Sequence, residues 1–463
     1  MKHTLFLFLL IIGAVQAQTF SNGDFGINQF VSGSGAGSGF PLRKLVFGSG
    51  LTATESPSGT FTLTAESGGS GLAFNVKDYG ALGDTRKVTD GVANGTTTVT
   101  SATANFTTAD VGKQIWGNNS SGALIIPFGS IVSVTNATTV IVSNTATGSA
   151  SGLIVVVGTD DSDAIIAANA AAEAAEPRGA VYAPAGGYLY SKFLFNHAYG
   201  GTRVPPAIIG DGSERTVFFE SANFDYGTTG GAYYSTFARE ANTTHCLWRG
   251  FTVDGATVLR DYVHAVCTLS AHDMALREDF AVTNFRAVLY GVYIAGAGEV
   301  WRGCRVRHID SVGIQCAGGG NFENCYVGDC VGVGLAVANS GRFIWSGGSI
   351  DESSGGSATF SNVTDLRFSD AVIYGPANGV AVALSSGSVM RAVNSSIAPF
   401  GGNNNTTGLS VASGCAAWLS QCRMLGTGTG YALNNAGTVY DGGGNEAGGT
   451  GKTGAGSISI PTL

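Results

Sequence analysis

Four side chains able to donate, accept or transfer protons recur one repeat apart: Asn284, His308, Asp329 and Glu352, separated by 24, 21 and 23 residues. Each stands two residues after the last apolar position of a short repeated pattern. Stacked at the ~4.8 Å spacing of neighbouring strands, they would line one edge of a groove. Asp329 and Glu352 then make a carboxyl pair; a separation of ~5–5.5 Å suits a retaining glycosidase and ~6.5–9.5 Å an inverting one. Asp310, one turn away, offers a wider pair, and His308 beside a carboxylate can take up or release a proton. The alternative is a corner ladder of hydrogen-bonding residues, which any solenoid has where it turns. Elimination would instead need a base and cations that neutralise a uronate carboxylate. Arg302, Arg305 and Arg307, with Asp310, form such a cluster and are the substrate-binding candidates. A calcium ion would enter only with that chemistry, and no CxxC or Cys/His metal spacing occurs.

Positioning these residues falls to the repeat itself. Its copies read Trp248-Arg-Gly-Phe-Thr-Val253, Leu276-Arg-Glu-Asp-Phe-Ala-Val282, Trp301-Arg-Gly-Cys-Arg-Val306 and Phe322-Glu-Asn-Cys-Tyr-Val327. They continue from Trp345, Phe368, Met390 and Trp418. The equivalent slots are Phe251, Phe280, Cys304, Cys325, Gly348, Ala371, Ser395 and Cys422, 21 to 29 residues apart. A second strand-like run lies between copies, as in Gly291-Val-Tyr-Ile294 and Gly313-Ile-Gln-Cys316. Self-similarity at this period marks a solenoid, and two short alternating runs per unit make it β. The expected fold is all-β: a single-stranded right-handed parallel β-helix, one coil per repeat. Two positions before the slot, Arg249, Glu278, Arg302 and Glu323 alternate in sign, which predicts a structural charge ladder.

Bulk composition agrees. Gly reaches 71 of 463 residues and charged residues only 12%, as many tight corners and few solvated helix faces require. A hydrophobic share of 44% excludes disorder, and a net charge of −8 argues against nucleic acid. All eight cysteines lie beyond residue 245. Cys304 and Cys325 occupy the same slot of successive coils, within disulfide reach. A ladder of buried thiols is favoured over the bond, because Gly348 and Ala371 fill the same slot. Residues 1–17 read as a signal peptide: Lys2 and His3, an apolar run from Leu5 to Val15, and a small-residue cleavage signal at Val15-Gln-Ala17.

Residues 18–71 are Gly/Ser-rich. Then comes Phe74-Asn-Val-Lys-Asp-Tyr-Gly-Ala-Leu-Gly-Asp84, resumed after an interruption by Gly158-Thr-Asp-Asp-Ser-Asp-Ala-Ile165, a helix-like run to Glu176, and Ala180-Val-Tyr-Ala-Pro-Ala-Gly-Gly-Tyr188. This order resembles the opening of the pectate lyase superfamily, the rhamnogalacturonase/epimerase-like β-helix proteins of pectin lyase fold. The resemblance implies a helix over Asp161–Glu176 that caps the solenoid. The interruption, residues 88–157, carries β signals such as Thr138-Thr-Val-Ile-Val142 and predicts a small inserted β module, similar to inserts in phage tail proteins. The β-helix domain is then 72–87 plus 158–440, followed by a Gly-rich tail, 441–463. In the aromatic stretch 190–245, Tyr233 and Tyr234 are candidates for stacking on sugar rings, with early-coil packing as the alternative.

The resemblance implies a polysaccharide partner. The leading expectation is an exported, secreted or periplasmic protein that cleaves glycosidic bonds, by hydrolysis or elimination, as a monomer. The Asn-Thr-Asp, paired-Asp and Gly-His-Gly signatures of polygalacturonases are absent. The alternatives are a tailspike-like homotrimer on a virion surface, serving receptor binding and assembly, and a non-catalytic surface β-helix.

Overall fold

The computed structural model describes residues 73–448 except 176–177, 204, 225–234, 244–246, 257–263, 270–274, 287–288, 297, 352, 377, 400–404 and 427–432, with short strands outside that range. Two units are present, 1–72 and 73–463. In the first, Leu45–Phe47, Leu51–Glu55 and Phe61–Ala65 form an antiparallel sheet. The signal-peptide reading lies outside the described residues. Among those described, no helix is long and apolar enough to cross a membrane.

The second unit is a right-handed parallel β-helix. One coil runs through Glu299–Arg302, Arg305–Ile309 and Val312–Cys316; the next repeats it with Gly320–Glu323, Tyr326–Gly328 and Leu335–Ala338. The first two strands of every coil join a 22-stranded sheet and the third an 11-stranded sheet. Pairing is in register from coil to coil, Arg302 on Glu323 and Val306 on Val327. Such pairing demands a sharp change of direction between strands, and left-handed residues supply it. Asp279, Asn324, Asp370 and Asn394 have φ of 46°, 52°, 53° and 47°, and Gly303 and Gly347 take the same place in the intervening coils. Asn, Asp and Gly tolerate this region best, which is why the corners read as they do.

Inward residues stack in files. One runs Trp248, Arg277, Trp301, Phe322, Trp345, Phe368. Phe322 lies flat on Trp301 at 5.7 Å and on Trp345 at 5.4 Å between ring centroids. The Arg277 guanidinium sits 4.0 Å over the Trp248 ring, so a cation is sandwiched into the aromatic file. Here the structure corrects the alignment of the repeat. The slots from Phe251 to Cys422 stack as expected, but Arg277, Ala392 and Leu419, rather than Leu276, Met390 and Trp418, continue the Trp248 file. Trp418 therefore faces outward. Cys304 and Cys325 are buried free thiols whose Sγ atoms donate to the carbonyls of Arg277 and Trp301 at 3.3 and 3.4 Å. Phe224 and Phe237 belong to the core around Tyr190, whereas Tyr226, Tyr233 and Tyr234 lie outside the described residues.

The cap helix spans Ser162–Ala174, shorter than expected at both ends. Its Ile165, Ala168 and Ala172 close the core against Val76 and Val181. The opening motif explains the start: the Asp160 carboxylate accepts from the Ser162 amide at 3.0 Å, while Asp161 turns back to accept from Leu82 and Gly83 amides at 2.7 and 3.2 Å. Asp84 in turn holds the Thr159 amide at 2.9 Å. Between Asp84 and Thr159, six antiparallel strands from Arg86–Asn94 to Ser149–Gly158 close into a barrel with its own core, including Val99, Ile115, Ile126, Val140 and Val155. Trp116 and Val156 of the barrel pack on Leu189, Phe219 and Ala256 of the β-helix.

Candidate functional site

Three of the four proton-transfer candidates occupy one corner of the solenoid. Asn284, His308 and Asp329 have φ of 60°, 54° and 54°; Asn284 and His308 stand one residue before the end of their strands, Leu276–Phe285 and Arg305–Ile309, and Asp329 directly follows Tyr326–Gly328. A left-handed turn lifts their side chains clear of the strand and leaves them half exposed, 48% for His308 and 38% for Asp329. His308 Nε2 stands 3.6 Å from Asp329 Oδ2, and His308 Nδ1 lies 3.5 Å from the Thr283 hydroxyl. Glu352, the fourth candidate, lies outside the described residues.

Two further groups complete the corner. Tyr326 points outward and its hydroxyl donates to Asp329 Oδ2 at 3.3 Å. Its phenol fits because residue 328 is glycine: a Cβ there would come 2.6 Å from the Tyr326 hydroxyl and 2.9 Å from the Asp351 Cβ. The outward file Arg307–Gly328–Asp351 thus has a gap, and the phenol fills it. From the barrel side, Lys87 pairs with Asp254, which also accepts from Asn284 Nδ2 at 3.1 Å. The inserted barrel thereby reaches the same edge.

Electrostatics set the protonation states. Burial pushes the His308 pKa below its ordinary value; Asp329 opposes, Arg307 and Lys87 add to the depression, and Asp254 opposes again. The imidazole is neutral near pH 7. Burial, then the carboxylates of Asp329 and Asp351, push the Tyr326 phenol well above its usual range. A neutral base and a protonated phenol therefore flank one carboxylate, beside the exposed Arg307.

The other candidates are placed differently. Arg302 belongs to the charge ladder, its Nε 2.7 Å from Glu323, with Arg249 and Glu278 paired at 3.9 Å two coils earlier. Arg305 binds Glu214 at 3.0 Å and Ser213 at 2.9 Å, clamping that loop. Asp310 faces Arg286 at 3.5 Å, apart from the His308–Asp329 pair. Tyr326, Thr283, Lys87 and Asp254 were not singled out from the sequence. Tyr326 carried a signal, a large polar ring two residues before a glycine on the candidate edge. Lys87 carried none, because the barrel's docking is a tertiary fact. Among the described residues, no group of three or more His, Cys, Asp or Glu side chains is arranged to hold a metal ion.

No family model and no curated protein matches the sequence. Similar solved structures include the A-module of the mannuronan C-5 epimerase AlgE4 of Azotobacter vinelandii, at 14% identity and TM-score 0.46, covering 65% of this chain and 92% of that one. A tailspike protein of an Escherichia coli bacteriophage matches at 11% identity and TM-score 0.42, over 92% of this chain and 56% of that one. The catalytic domain of a GH87 alpha-1,3-glucanase in complex with nigerose matches at 8% identity and TM-score 0.36, over 82% and 87%.

Proposed function

We propose that the protein cleaves an acidic polysaccharide by elimination at the His308 corner. One observation carries the reading: a protonated Tyr326 phenol, lodged in the gap above Gly328 and bonded to Asp329, stands beside a neutral His308. Hydrolysis by two carboxyl groups needs a separated pair facing the substrate. At this corner Asp329 is engaged by Tyr326 and His308, and Asp254 is engaged by Lys87 and Asn284. Elimination uses what is present. His308 takes the proton from the carbon beside the uronate carboxylate, and Arg307 balances the charge that builds on that carboxylate. The carbon–oxygen bond to the next sugar breaks, and Tyr326 delivers its proton to the leaving oxygen. The products are a sugar with a carbon–carbon double bond and a chain with a free end. The proposal also takes the protein to be exported, on the reading of residues 1–17 as a leader.

The test is digestion of homopolymeric and mixed polyuronates and neutral glycans, read by double-bond absorbance and by reducing ends, with Tyr326→Phe and His308→Ala beside the parent. Absorbance that grows with the parent and is lost in both variants supports the reading. Reducing ends without absorbance overturn it in favour of hydrolysis. Absence of any cleavage, with glycan still bound, leaves a binding protein of the tailspike kind.

A further inference from the structure

Three rungs beyond the His308 corner, the outward face of the long sheet changes character. Arg367 and Arg391 pair in register on adjacent coils, directly above the exposed side of Ile344, and the file continues with Trp418 and Tyr440. Both guanidinium groups are held in fixed poses. Arg367 binds Asp365 through Nε at 2.9 Å and Nη2 at 2.8 Å, Arg391 reaches the same carboxylate at 3.1 Å, and the Arg391 guanidinium lies 5.2 Å from the centre of the Trp418 ring. Trp418 is itself stacked on Tyr440 at 4.5 Å and 9°, so the ring that supports Arg391 is immobilised from its other side. Arg342, one coil earlier, adds its positive charge to the field on Asp365. Three cations thus surround one carboxylate, and among the described residues Asp365 is the only acid within ion-pair distance of any of them.

Like charges on neighbouring strands repel, and a surface that merely needed solubility would intersperse acids, as the Arg249–Glu323 ladder does. Here the excess positive charge borders a hollow of about 510 Å³, lined by Ile344, Arg367, Phe368, Ser369, Arg391 and Val393. Its lining joins exposed aliphatic surface to fixed guanidinium forks, the combination that suits a ring with apolar faces and a planar carboxylate. On a chain of net charge −8, such a patch is where a polyanion can approach. We propose that this hollow is a second glycan subsite, taking a uronate residue of an acidic polysaccharide, its carboxylate on Arg367 and Arg391 and its ring over Ile344 and Val393. The subsite lies ~14–19 Å along the axis from His308, at ~4.8 Å per rung. It shares the acidic-glycan class with the reading of the His308 corner but stands on different residues.

The experiment is equilibrium binding of the full chain, carrying His308→Ala so that no turnover intrudes, to hexameric oligouronates. Neutral gluco-oligosaccharides and a sulfated oligosaccharide of equal length serve as comparisons. The Arg367→Gln/Arg391→Gln variant should bind the oligouronate more weakly by ~100-fold or more, the loss expected for two charged hydrogen-bond donors. Ser369→Glu, which sets a carboxylate in the hollow in place of a hydroxyl bonded to that of Ser346 at 2.6 Å, should weaken binding in the same direction, with thermal unfolding checking that the variant stays folded. Oligouronate binding unaltered in both variants overturns the subsite, as does absence of oligouronate binding by the parent. Equal affinity for the neutral chain, or preference for the sulfated one, overturns the uronate assignment. Failure of elimination chemistry reads out separately, as binding without double-bond absorbance in the unmutated chain.

Discussion

Gly328→Ala tests the candidate corner with a single methyl group. The backbone at 328 is not left-handed, so alanine carries no conformational strain there. Its Cβ would fall 2.6 Å from the Tyr326 hydroxyl oxygen, 3.0 Å from Tyr326 Cζ and 2.9 Å from the Asp351 Cβ. All three are inside the ~3.5–4.0 Å of good carbon contacts. Asp351 Cβ is tied to its own strand and yields little, but the phenol is the far end of a rotatable side chain and swings into solvent. Overpacking of a site that can relax belongs at the low end of the ~1–3 kcal/mol range, so the fold should survive. What is lost is the placement of the phenol and its 3.3 Å bond to Asp329. A positioned acid or base is worth ~10²–10⁴-fold, so kcat should fall by that order with KM little changed, because the phenol acts only in the transition state. The assay is the initial rate of double-bond absorbance on the best polyuronate, beside thermal unfolding of each variant. Tyr326→Phe should match Gly328→Ala, and the double variant should be no worse than either, since both remove one function. Parent-like turnover in Gly328→Ala, or a further large loss in the double variant, would refute the argument that the gap positions the phenol.

Burial, then Asp84 and Asp160, raise the Asp161 pKa to about 6 against the two backbone donors that lower it. A carboxyl with a raised folded-state pKa favours the folded chain below its unfolded value and loses that contribution as pH climbs from about 4 to about 6. The stability of the parent relative to Asp161→Asn should therefore fall by on the order of 2–3 kcal/mol between pH 4 and pH 7, measured by denaturant unfolding; a pH-independent difference contradicts it. In the barrel, Asp110 is held far below the usual carboxylate range despite burial, by Arg86 at 2.7 Å and Lys113 at 2.9 Å. Asp110→Asn should cost ~3–5 kcal/mol by leaving a guanidinium unpaired, and the parent should lose that stability only as pH falls below the ordinary aspartate value. Trp345→Ala opens the aromatic file and should cost ~3–5 kcal/mol in unfolding free energy. Alkylation of the unfolded chain without reductant should label both Cys304 and Cys325, because both are free thiols.

The periodic slots were legible because stacking enforces them: each of Phe251, Phe280, Cys304 and Cys325 must fill the same space above its predecessor. The start of each copy was less legible, since repeats of 21 to 29 residues absorb insertions on both sides of the slot. Arg277 was hidden for a further reason. A cation is a poor guess for a core file, and its place over the Trp248 ring is a tertiary contact that spacing does not show. At the candidate site, the ladder Asn284–His308–Asp329 followed from spacing alone, but the reason for its residue types did not. A corner with φ near 55° selects Asn, Asp and Gly on conformational grounds. His is enriched there as well, so the conformation admits all three members of the ladder. Tyr326 belongs to a neighbouring file, and its relation to Asp329 depends on the absence of a side chain at 328, which a one-dimensional pattern does not weigh.

The clasp between Asp84 and Thr159 has a consequence for how the chain assembles. These two residues are 75 positions apart, yet Asp84 bridges to Gly187 and Asp160 to Leu189, two places along one strand. A random loop of that length would resist bringing its ends together. A barrel whose first and last strands pair with each other delivers the two ends side by side as soon as it forms. The barrel is thus expected to fold early and on its own contacts, and the first rungs to nucleate on its exit point. The coils that follow can propagate from that end, each stacking only on its neighbours.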